Sequence, residues 1–161
     1  MDPDRLADLA DRLAILDLEG AYGRTFDSHD GDAWADLFTP DGVYQARGLA
    51  PGDPGHHAGR AALADFCTNA PFDGLHLMHV PEITVDGDQA TARVHLEFVG
   101  TFHREGDPTL SMAGFYDVRY LRVDGRWRIR HRITTTLRTD GGPVAPYPRG
   151  TAFDDGPAST S

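Results

Sequence analysis

Histidine, aspartate and tyrosine are the residues of this sequence whose placement points to acid–base chemistry. Strand alternation places His79 and His131 on the inward faces of predicted strands, and Asp27 ends a predicted helix just after Tyr22 and Phe26. A near-neutral imidazole is suited to removing a proton next to a carbonyl, and a carboxylate on its second nitrogen fixes the tautomer. Asp27 and the two inward histidines are therefore candidates for acid–base chemistry.

Tyrosine hydroxyls can supply the second half of such chemistry. Tyr116 falls on the inward face of its predicted strand, where its hydroxyl can stabilise charge that develops on a carbonyl oxygen. The histidine can return its proton to a departing hydroxide, which gives dehydration, or to carbon, which gives isomerisation. Attack of carbon on carbon gives cyclisation, and the residues leave the choice among the three open.

Each candidate also has a purely structural interpretation. Asp27 is suited to capping the short helix that follows, together with Ser28 and Asp30. Inward histidines such as His79 and His131 are often held by hydrogen bonds in a core. Buried tyrosines commonly pack as core aromatics with a tethered hydroxyl. These alternatives stay open at the level of the sequence.

Hydrophobic periodicity predicts three helices in the first half of the chain. Asp2-Pro3 begins a long amphipathic helix that runs to about residue 27. Its two adjacent apolar stripes consist of Leu6, Leu9, Leu13 and Leu16, and of Ile15, Leu18, Tyr22 and Phe26. A short helix around Trp34, a strand at 42–47 and a third helix at 59–70 follow.

From residue 75 the period changes to two, which predicts four antiparallel strands. They span 75–85, 89–103, 109–123 and 126–138, and Asp-Gly turns mark two of the connections. We expect an α+β fold in which a curved antiparallel sheet wraps around the first helix as a cone. The residues predicted to bind a substrate inside it are Tyr44, Leu77, Phe98, Met112, Tyr116 and Trp127, whereas His76, His95 and Arg132 are predicted to point outward.

The composition argues against several function classes. A net charge of −10 disfavours nucleic-acid binding, and all 15 basic residues are arginine, which excludes lysine Schiff-base chemistry and a P-loop. The single Cys67 can form no internal disulfide, the histidine spacing is not that of a metal site, and no apolar run reaches the roughly 18 residues of a membrane span. We expect a cytoplasmic protein with one domain over 1–138 and no metal or cofactor. A Gly/Pro-rich tail over 139–161 should either cover the pocket or be disordered.

Three segments resemble a known family. They are YGRTFDSHDGDAWADLFTPDGVY at the end of the long first helix, GRAALADF in the third helix and VDGRWRIRHR in the closing strand. Over roughly residues 5–138 the chain resembles a SnoaL-like protein of the nuclear transport factor 2 superfamily. This cone-shaped fold hosts dehydratases, isomerases, polyketide cyclases, epoxide hydrolases and noncatalytic subunits, so the resemblance is specific for the fold and not for the reaction.

The resemblance also implies roles for individual residues. FDSHD is similar to the aspartate segment of scytalone-dehydratase-like enzymes, with Asp27 as the catalytic aspartate and Phe26 where those enzymes carry tyrosine. Tyr22 matches a tyrosine five residues before the aspartate in bile-acid-dehydratase-like enzymes, and His79 matches the histidine that both groups use. The resemblance thus implies a catalytic dyad of Asp27 and His79. The second pocket histidine of scytalone-dehydratase-like enzymes has no inward match on the following strand, so His131 is expected to substitute for it.

These observations predict a cofactor-independent dehydratase, isomerase or cyclase. Its substrate would be a small hydrophobic oxygenated metabolite such as a polyketide, terpenoid, steroid or aromatic intermediate. The alternatives are a noncatalytic assembly subunit similar to the β subunit of a ring-hydroxylating dioxygenase, and an epoxide hydrolase, which would need an arginine between two pocket aspartates. Because the sheet often mediates assembly in the family, a homodimer or homotrimer through the sheet is expected.

Overall fold

The computed structural model describes residues 2–48 and 51–154, which form three helices and seven strands. The helices are α1 (Pro3–Asp27), α2 (Gly31–Ala35) and α3 (Arg60–Thr68). The strands are β1 (Phe38–Ala46), β2 (His56–Ala58), β3 (Phe72–Met78), β4 (Glu82–Asp86), β5 (Gln89–Phe102), β6 (Thr109–Val123) and β7 (Arg126–Thr139). The predicted α+β class, with helices first and long strands after them, is confirmed.

All strands belong to one curved, unclosed sheet in the order β2-β1-β7-β6-β5-β3, with β4 also paired to β5. Every pair of neighbouring strands is antiparallel except β1 and β7, which are parallel to each other. The sheet is therefore mixed, and the expectation of a purely antiparallel sheet is wrong in this one pairing. A parallel neighbour requires a long connection, which here is everything between β1 and β7.

The long helix α1 starts where its capping residues predict. The side chain of Asp2 accepts a hydrogen bond from the backbone N–H of Asp4, and Pro3 occupies the first turn. The helix ends at Asp27, because His29 adopts a left-handed conformation with φ of 56°. The two predicted apolar stripes differ in burial. The stripe that contains Tyr22 is buried against the sheet, whereas the four leucines of the other stripe are exposed.

The segment predicted as one strand over 75–85 is divided into β3 and β4. Residues 79–81 interrupt it, and Pro81 lies in this break. In β4 the odd-numbered residues Ile83 and Val85 pack inward, but in β3 the even-numbered residues, including His76, pack inward instead. The inward phase of β4 therefore does not extend across the break into β3.

A second phase change lies in β7. Tyr120 pairs with Ile129 but Arg119 pairs with His131, so Arg130 is an extra residue that forms a bulge. Before the bulge Ile129 is inward, and after it the inward residue is Arg132 rather than His131. The predicted inward face of β7 is thus correct only up to the bulge.

The chain after β7 lies on the outer face of the sheet. The hydroxyl of Tyr147 lies 2.9 Å from Nε2 of His95, and the backbone N–H of Ala152 donates to Asp117 at 2.7 Å. The ring of Phe153 covers Arg119, whose guanidinium carbon is 4.0 Å from the ring centre. The described part of the tail thus packs on the side of the sheet opposite α1, and residues 155–161 lie outside the described part of the chain.

Candidate active site

An aspartate and a histidine meet at the point where the end of α1 crosses β3. Oδ1 of Asp27 lies 2.6 Å from Nδ1 of His76, and Oδ2 accepts the backbone N–H of the same histidine at 3.0 Å. That N–H is available because β3 is an edge strand and His76 pairs with Phe98 on its other side. The carboxylate therefore holds both the ring and the backbone of His76, and we refer to Asp27 and His76 as the dyad.

The dyad is largely shielded from water. The side chains of His76 and Asp27 are only 8% and 18% exposed. Helix α1 approaches β3 closely at Gly23, where an added Cβ would lie 3.4 Å from Cβ of His76. An Nδ1–H bond to the carboxylate leaves Nε2 as the nitrogen that can accept a proton from a substrate.

Aromatic rings surround His76 on three sides. Its ring centre lies 5.0 Å from that of Phe98, 5.3 Å from Phe26 and 6.1 Å from Tyr22. Phe98 can lie there because its ring covers Gly74 of β3 and Gly100 of its own strand β5. An added Cβ at these glycines would come within 2.4 Å and 2.8 Å of ring atoms. The side chains around the dyad are thus mostly apolar, an environment that shields an ionisable pair from water.

The predicted dyad partner His79 lies elsewhere. It follows β3 in the break before β4, its side chain is 55% exposed, and its Nε2 lies 3.5 Å from Glu97 on the outer surface. The prediction that His79 faces the interior and His76 faces outward is therefore wrong in both parts. Asp27 does lie beside a histidine of this strand, and it does not cap α2, because Asp30 performs that role through the backbone N–H of Ala33.

A buried ion pair lies behind Tyr22. Both terminal nitrogens of Arg132 donate to Glu19 at 2.8 Å, and the hydroxyl of Tyr120 donates to the same carboxylate at 2.8 Å. The guanidinium carbon of Arg132 lies 3.7 Å from the ring centre of Tyr22 and 3.9 Å from that of Tyr116. Arg132 is completely buried, and within residues 2–48 and 51–154 its Nε has no hydrogen-bond partner.

Burial and neighbouring charges shift the pKa values of the ionisable groups in the interior. Burial opposes the charge of Arg132, but the carboxylate of Glu19 outweighs that cost and raises the pKa of the guanidinium above its usual value. Burial also raises the pKa of Tyr22, Tyr116 and Tyr120, which therefore stay neutral hydroxyls at physiological pH. Arg132 is thus a cation paired with the carboxylate of Glu19, and the three tyrosines can act only in their neutral form.

Three of the predicted substrate-binding residues lie close to these groups. Phe98 contacts His76, Tyr116 contacts Arg132, and Tyr44 receives a hydrogen bond from Thr134 at 3.1 Å. Burial raises the pKa of Tyr44 as well.

The other three predicted substrate-binding residues do not converge on the dyad. Met112 packs at the edge of the core, where the hydroxyl of Thr136 lies 3.1 Å from its sulfur. Trp127 donates to Asp11 at 3.0 Å, at the N-terminal half of α1 and about 24 Å along the helix from Asp27. Leu77 is 49% exposed on the outer face, so its predicted inward position is wrong for the same reason as that of His79.

The predicted second pocket histidine, His131, is displaced by the bulge in β7. Its Nε2 lies 3.1 Å from the side-chain oxygen of Gln45, and its ring contacts Phe153 of the tail at 5.1 Å between centres. Burial and the nearby positive charge of Arg119 lower the pKa of His131 to about 4. His131 therefore lies on the outer face as a neutral imidazole near pH 7, and the side chain that faces inward after the bulge is that of Arg132.

Two residues of the interior, His76 and Arg132, were missed by strand alternation, but the sequence contains a signal for each. Pro81 cannot continue a central strand, which indicates that the phase read from Ile83 need not reach His79. Glu19 lies on the buried stripe of α1, and a buried carboxylate needs a cation, which in a chain without lysine must be an arginine or a histidine.

Two features are absent from the described residues. Among residues 2–48 and 51–154, no three histidine, cysteine, aspartate or glutamate side chains are arranged to hold a metal ion. Within the same residues, no helix is long and apolar enough to cross a membrane.

A curved sheet around a long helix, with an aspartate at the helix end and a histidine on the facing edge strand, defines an α+β cone with an acid–base pair inside. The chain belongs to the SnoaL-like domain family, whose model matches residues 7–133. This confirms the family expected from the sequence. The family contains dehydratases and isomerases as well as other functions.

Sequence relatives and solved structures agree with this assignment. An uncharacterized Mycobacterium tuberculosis protein, Rv2910c, is 28% identical over 130 residues, which cover 81% of this chain and 88% of that protein. An NTF2-like protein with a cystatin-like fold from Novosphingobium aromaticivorans is 31% identical, with a TM-score of 0.69 over 86% of this chain and 88% of that chain.

Two further structures have names that describe a function. The β subunit assigned to an aromatic-ring-hydroxylating dioxygenase of N. aromaticivorans is 30% identical, with a TM-score of 0.64 over 81% of this chain and 91% of that chain. A hexachlorocyclohexane dehydrochlorinase, LinA type 2, is 21% identical, with a TM-score of 0.74 over 91% and 99% of the two chains, and this likeness shows the shared fold.

Proposed function

We propose that this protein is a cofactor-independent acid–base enzyme in which His76 removes a proton from carbon next to a carbonyl. The observation that carries the proposal is the 2.6 Å contact between Asp27 and Nδ1 of His76 inside an aromatic enclosure. The carboxylate fixes the Nδ1–H tautomer and stabilises the imidazolium that forms when Nε2 takes the proton.

The interior also offers stabilisation for the charge that proton removal creates. An enolate oxygen is favoured by a nearby cation and by neutral hydroxyl donors. Arg132 supplies the cation, and Tyr22 contacts both its guanidinium and the ring of His76. Tyr22, whose catalytic role the family resemblance implies, thus lies between the base and the positive charge. Tyr116, on the other side of the guanidinium, is the second hydroxyl.

The aromatic enclosure indicates the kind of substrate. Rings of Phe26, Phe98 and Tyr22 around one imidazole favour a small, mostly hydrophobic molecule that carries an oxygen function. Polyketide, terpenoid, steroid and aromatic intermediates all have this character. Return of the proton to hydroxide gives a dehydratase, and return to another carbon gives an isomerase. Attack of the carbanion on a second carbonyl gives a cyclase.

A proton-exchange assay tests the base without knowledge of the final product. Small cyclic ketones and β-hydroxyketones are incubated with the protein in D₂O, and loss of the signal of the proton next to the carbonyl is followed by NMR. We expect the protein to accelerate exchange and His76→Gln to reduce the rate by about 100- to 10,000-fold, the usual contribution of a general base. Asp27→Asn should also reduce it, because the Nδ1–H tautomer is no longer enforced.

The matched control is His79→Gln, a histidine three positions further along the chain that is exposed. His79→Gln should catalyse exchange of the substrate proton at the wild-type rate. All three variants should keep the wild-type near-UV circular dichroism. A ¹⁵N NMR spectrum gives a second readout, in which His76 should be the Nδ1–H tautomer in the wild type and lose that preference in Asp27→Asn. Full exchange activity in His76→Gln would contradict the proposal.

The second candidate function is a noncatalytic subunit of a larger oxygenase. It is favoured by the 30% identity to a dioxygenase β subunit. This function predicts a stable complex with a separate catalytic subunit and no turnover by the chain alone. Affinity purification from the native host followed by mass spectrometry distinguishes the two, because a stoichiometric oxygenase subunit supports the second candidate. The predicted epoxide hydrolase is disfavoured because the buried Arg132 is paired with Glu19 rather than set between two aspartates.

A further inference from the structure

Helix α1 has a second apolar stripe that the domain does not cover. Its leucines are 46%, 51%, 53% and 37% exposed, which amounts to almost two whole leucine side chains on one face of one helix. They are Leu6, Leu9, Leu13 and Leu16, and we call them the leucine stripe. Scattered surface leucines are ordinary, but a continuous line of four indicates an interaction surface.

The leucine stripe was expected to adjoin the buried stripe, but it lies roughly opposite the face that α1 buries in its own domain. Ile15, Leu18 and Tyr22 project toward the sheet, and at 100° per residue these positions lie on the other side of the helix from Leu6 and Leu13. In the first half of α1, residues 3–14, no side chain is fully buried. No rotation of the helix could therefore bury both stripes in the domain.

Polar contacts hold this half of the helix in place. Asp11 accepts hydrogen bonds from Arg122 at 2.7 Å and from Trp127 at 3.0 Å. Arg12 donates to the backbone oxygen of Ile83 at 2.6 Å. The leucine stripe is thus presented outward by an anchored helix.

The spacing of the leucine stripe identifies what fits it. Intervals of three, four and three residues place Leu6 and Leu13 at position a and Leu9 and Leu16 at position d of two successive heptads. An a/d seam is complementary to another a/d seam, and the same sequence provides one in every copy. Gly20 continues the a positions, and an added Cβ there would meet no atom within 4 Å, so the face stays open beyond Leu16.

Flanking charges favour the same occupant and an orientation. Arg12 lies at position g and Asp17 at position e of the following heptad, which is the pair that faces across a parallel two-helix seam. In the single chain Nε of Arg12 contacts Asp8 and Nη1 contacts the backbone oxygen of Ile83. The side chain is still 40% exposed, so its remaining nitrogen can reach Asp17 of a partner while both contacts are kept. The acidic residues Asp4 and Asp11 lie away from the stripe and would not be brought together.

We propose that two copies of this chain associate through their leucine stripes, with the α1 helices parallel and Arg12 of each facing Asp17 of the other. This surface differs from the sheet face expected from the family resemblance. Tyr147 and Phe153 of the tail pack on part of that face, against β6 and β7. The pairing is independent of the proposed enzymatic function.

Sedimentation velocity of the full chain across the micromolar range tests the proposal. The wild type should be a dimer, and Leu9→Glu combined with Leu13→Glu should be a monomer. Four carboxylates in an apolar seam should weaken association by more than about 100-fold. Both leucines are exposed, so the variant should keep the wild-type circular dichroism, while its melting temperature should be lower because association stabilises the folded chain.

The matched control is Leu75→Glu combined with Leu77→Glu, which places the same charges on two equally exposed leucines of the outer sheet face. This variant should remain a dimer. A monomeric wild type would overturn the proposal, and so would a control that dissociates while the α1 variant stays dimeric. Flotation of the monomeric wild type with phosphatidylcholine vesicles would identify the leucine stripe as a membrane contact instead.

A single cysteine tests the orientation. Leu13→Cys lies at an a position, where two parallel helices bring identical residues together, and the only native thiol, Cys67, is fully buried. Mild oxidation should convert this variant to a disulfide-linked dimer, whereas Leu75→Cys should stay uncrosslinked. A stable dimer that fails to crosslink at Leu13→Cys would exclude the parallel arrangement.

Discussion

Replacing Glu19 by glutamine tests whether its ion pair with Arg132 is shielded from water. The substitution keeps the volume of the side chain and removes only its charge. The carboxylate accepts two hydrogen bonds from Arg132 and one from Tyr120, each at 2.8 Å, and both partners are buried. Glu19→Gln therefore leaves a guanidinium without its counter-charge in a site that water does not reach.

The expected magnitude follows from the burial of the pair. Removing one partner of a buried ion pair costs about 3–5 kcal/mol, because the remaining charge is desolvated and uncompensated. A domain of this size has a total free energy of unfolding of about 5–15 kcal/mol, so the loss is a large share of it. At about 2–4 °C per kcal/mol, the melting temperature should fall by about 6–20 °C.

Urea unfolding followed by circular dichroism measures this loss. The matched control is Asp8→Asn, which removes the charge of an exposed pair with Arg12 and should cost less than about 1 kcal/mol. The double variant Glu19→Leu with Arg132→Met should recover most of the loss, since apolar side chains of similar size can replace a buried pair. If the free energy of unfolding of Glu19→Gln lies within about 1 kcal/mol of the wild-type value, the ion pair is not shielded from water and the argument fails.

Two further predictions concern pH and packing. The pKa of His131 is lowered to about 4 by burial and by Arg119, so between about pH 6.5 and pH 4 the unfolded chain binds a proton that the folded chain does not. Stability should therefore fall as the pH is lowered through this range, and His131→Gln should flatten the decline in melting temperature; an unchanged decline would contradict the assignment. At Gly31 an added Cβ would lie 2.1 Å from the hydroxyl of Thr68, so Gly31→Ala should lower the free energy of unfolding by about 1–3 kcal/mol. Gly20→Ala, in an open part of α1, should raise it by up to about 1 kcal/mol, and equal effects of the two variants in urea unfolding would refute the packing argument.

Local sequence signals determined most of the framework. Asp2-Pro3 begins α1, and the Asp-Gly pair at 124–125 forms the β6–β7 turn, where both residues have positive φ of 50° and 73°. The inward face of β5, from Ala90 to Phe98, also follows the predicted alternation. These features depend on near neighbours in the chain, which is why pattern and turn chemistry are sufficient for them.

The parallel pairing of β1 with β7 could not be read from the sequence. The two strands are separated by more than 70 residues, and no local signal records which edge of the sheet a returning strand will join. The position of the tail is a similar case. Its Gly/Pro-rich composition excludes a regular element but carries no information about the sheet face on which Tyr147 and Phe153 pack.

The sequence by itself determined that Asp27 ends the helix beside a histidine of the third strand, but only the tertiary structure decided which histidine. A strand has a side-chain period of two, so a single interruption exchanges its two faces. The break before β4 exchanges His79 for His76, and the bulge in β7 exchanges His131 for Arg132. Pro81 marks the first interruption in the sequence, but which side chains then face inward depends on how neighbouring strands pair in the curved sheet. That pairing is a property of the folded chain rather than of the local pattern.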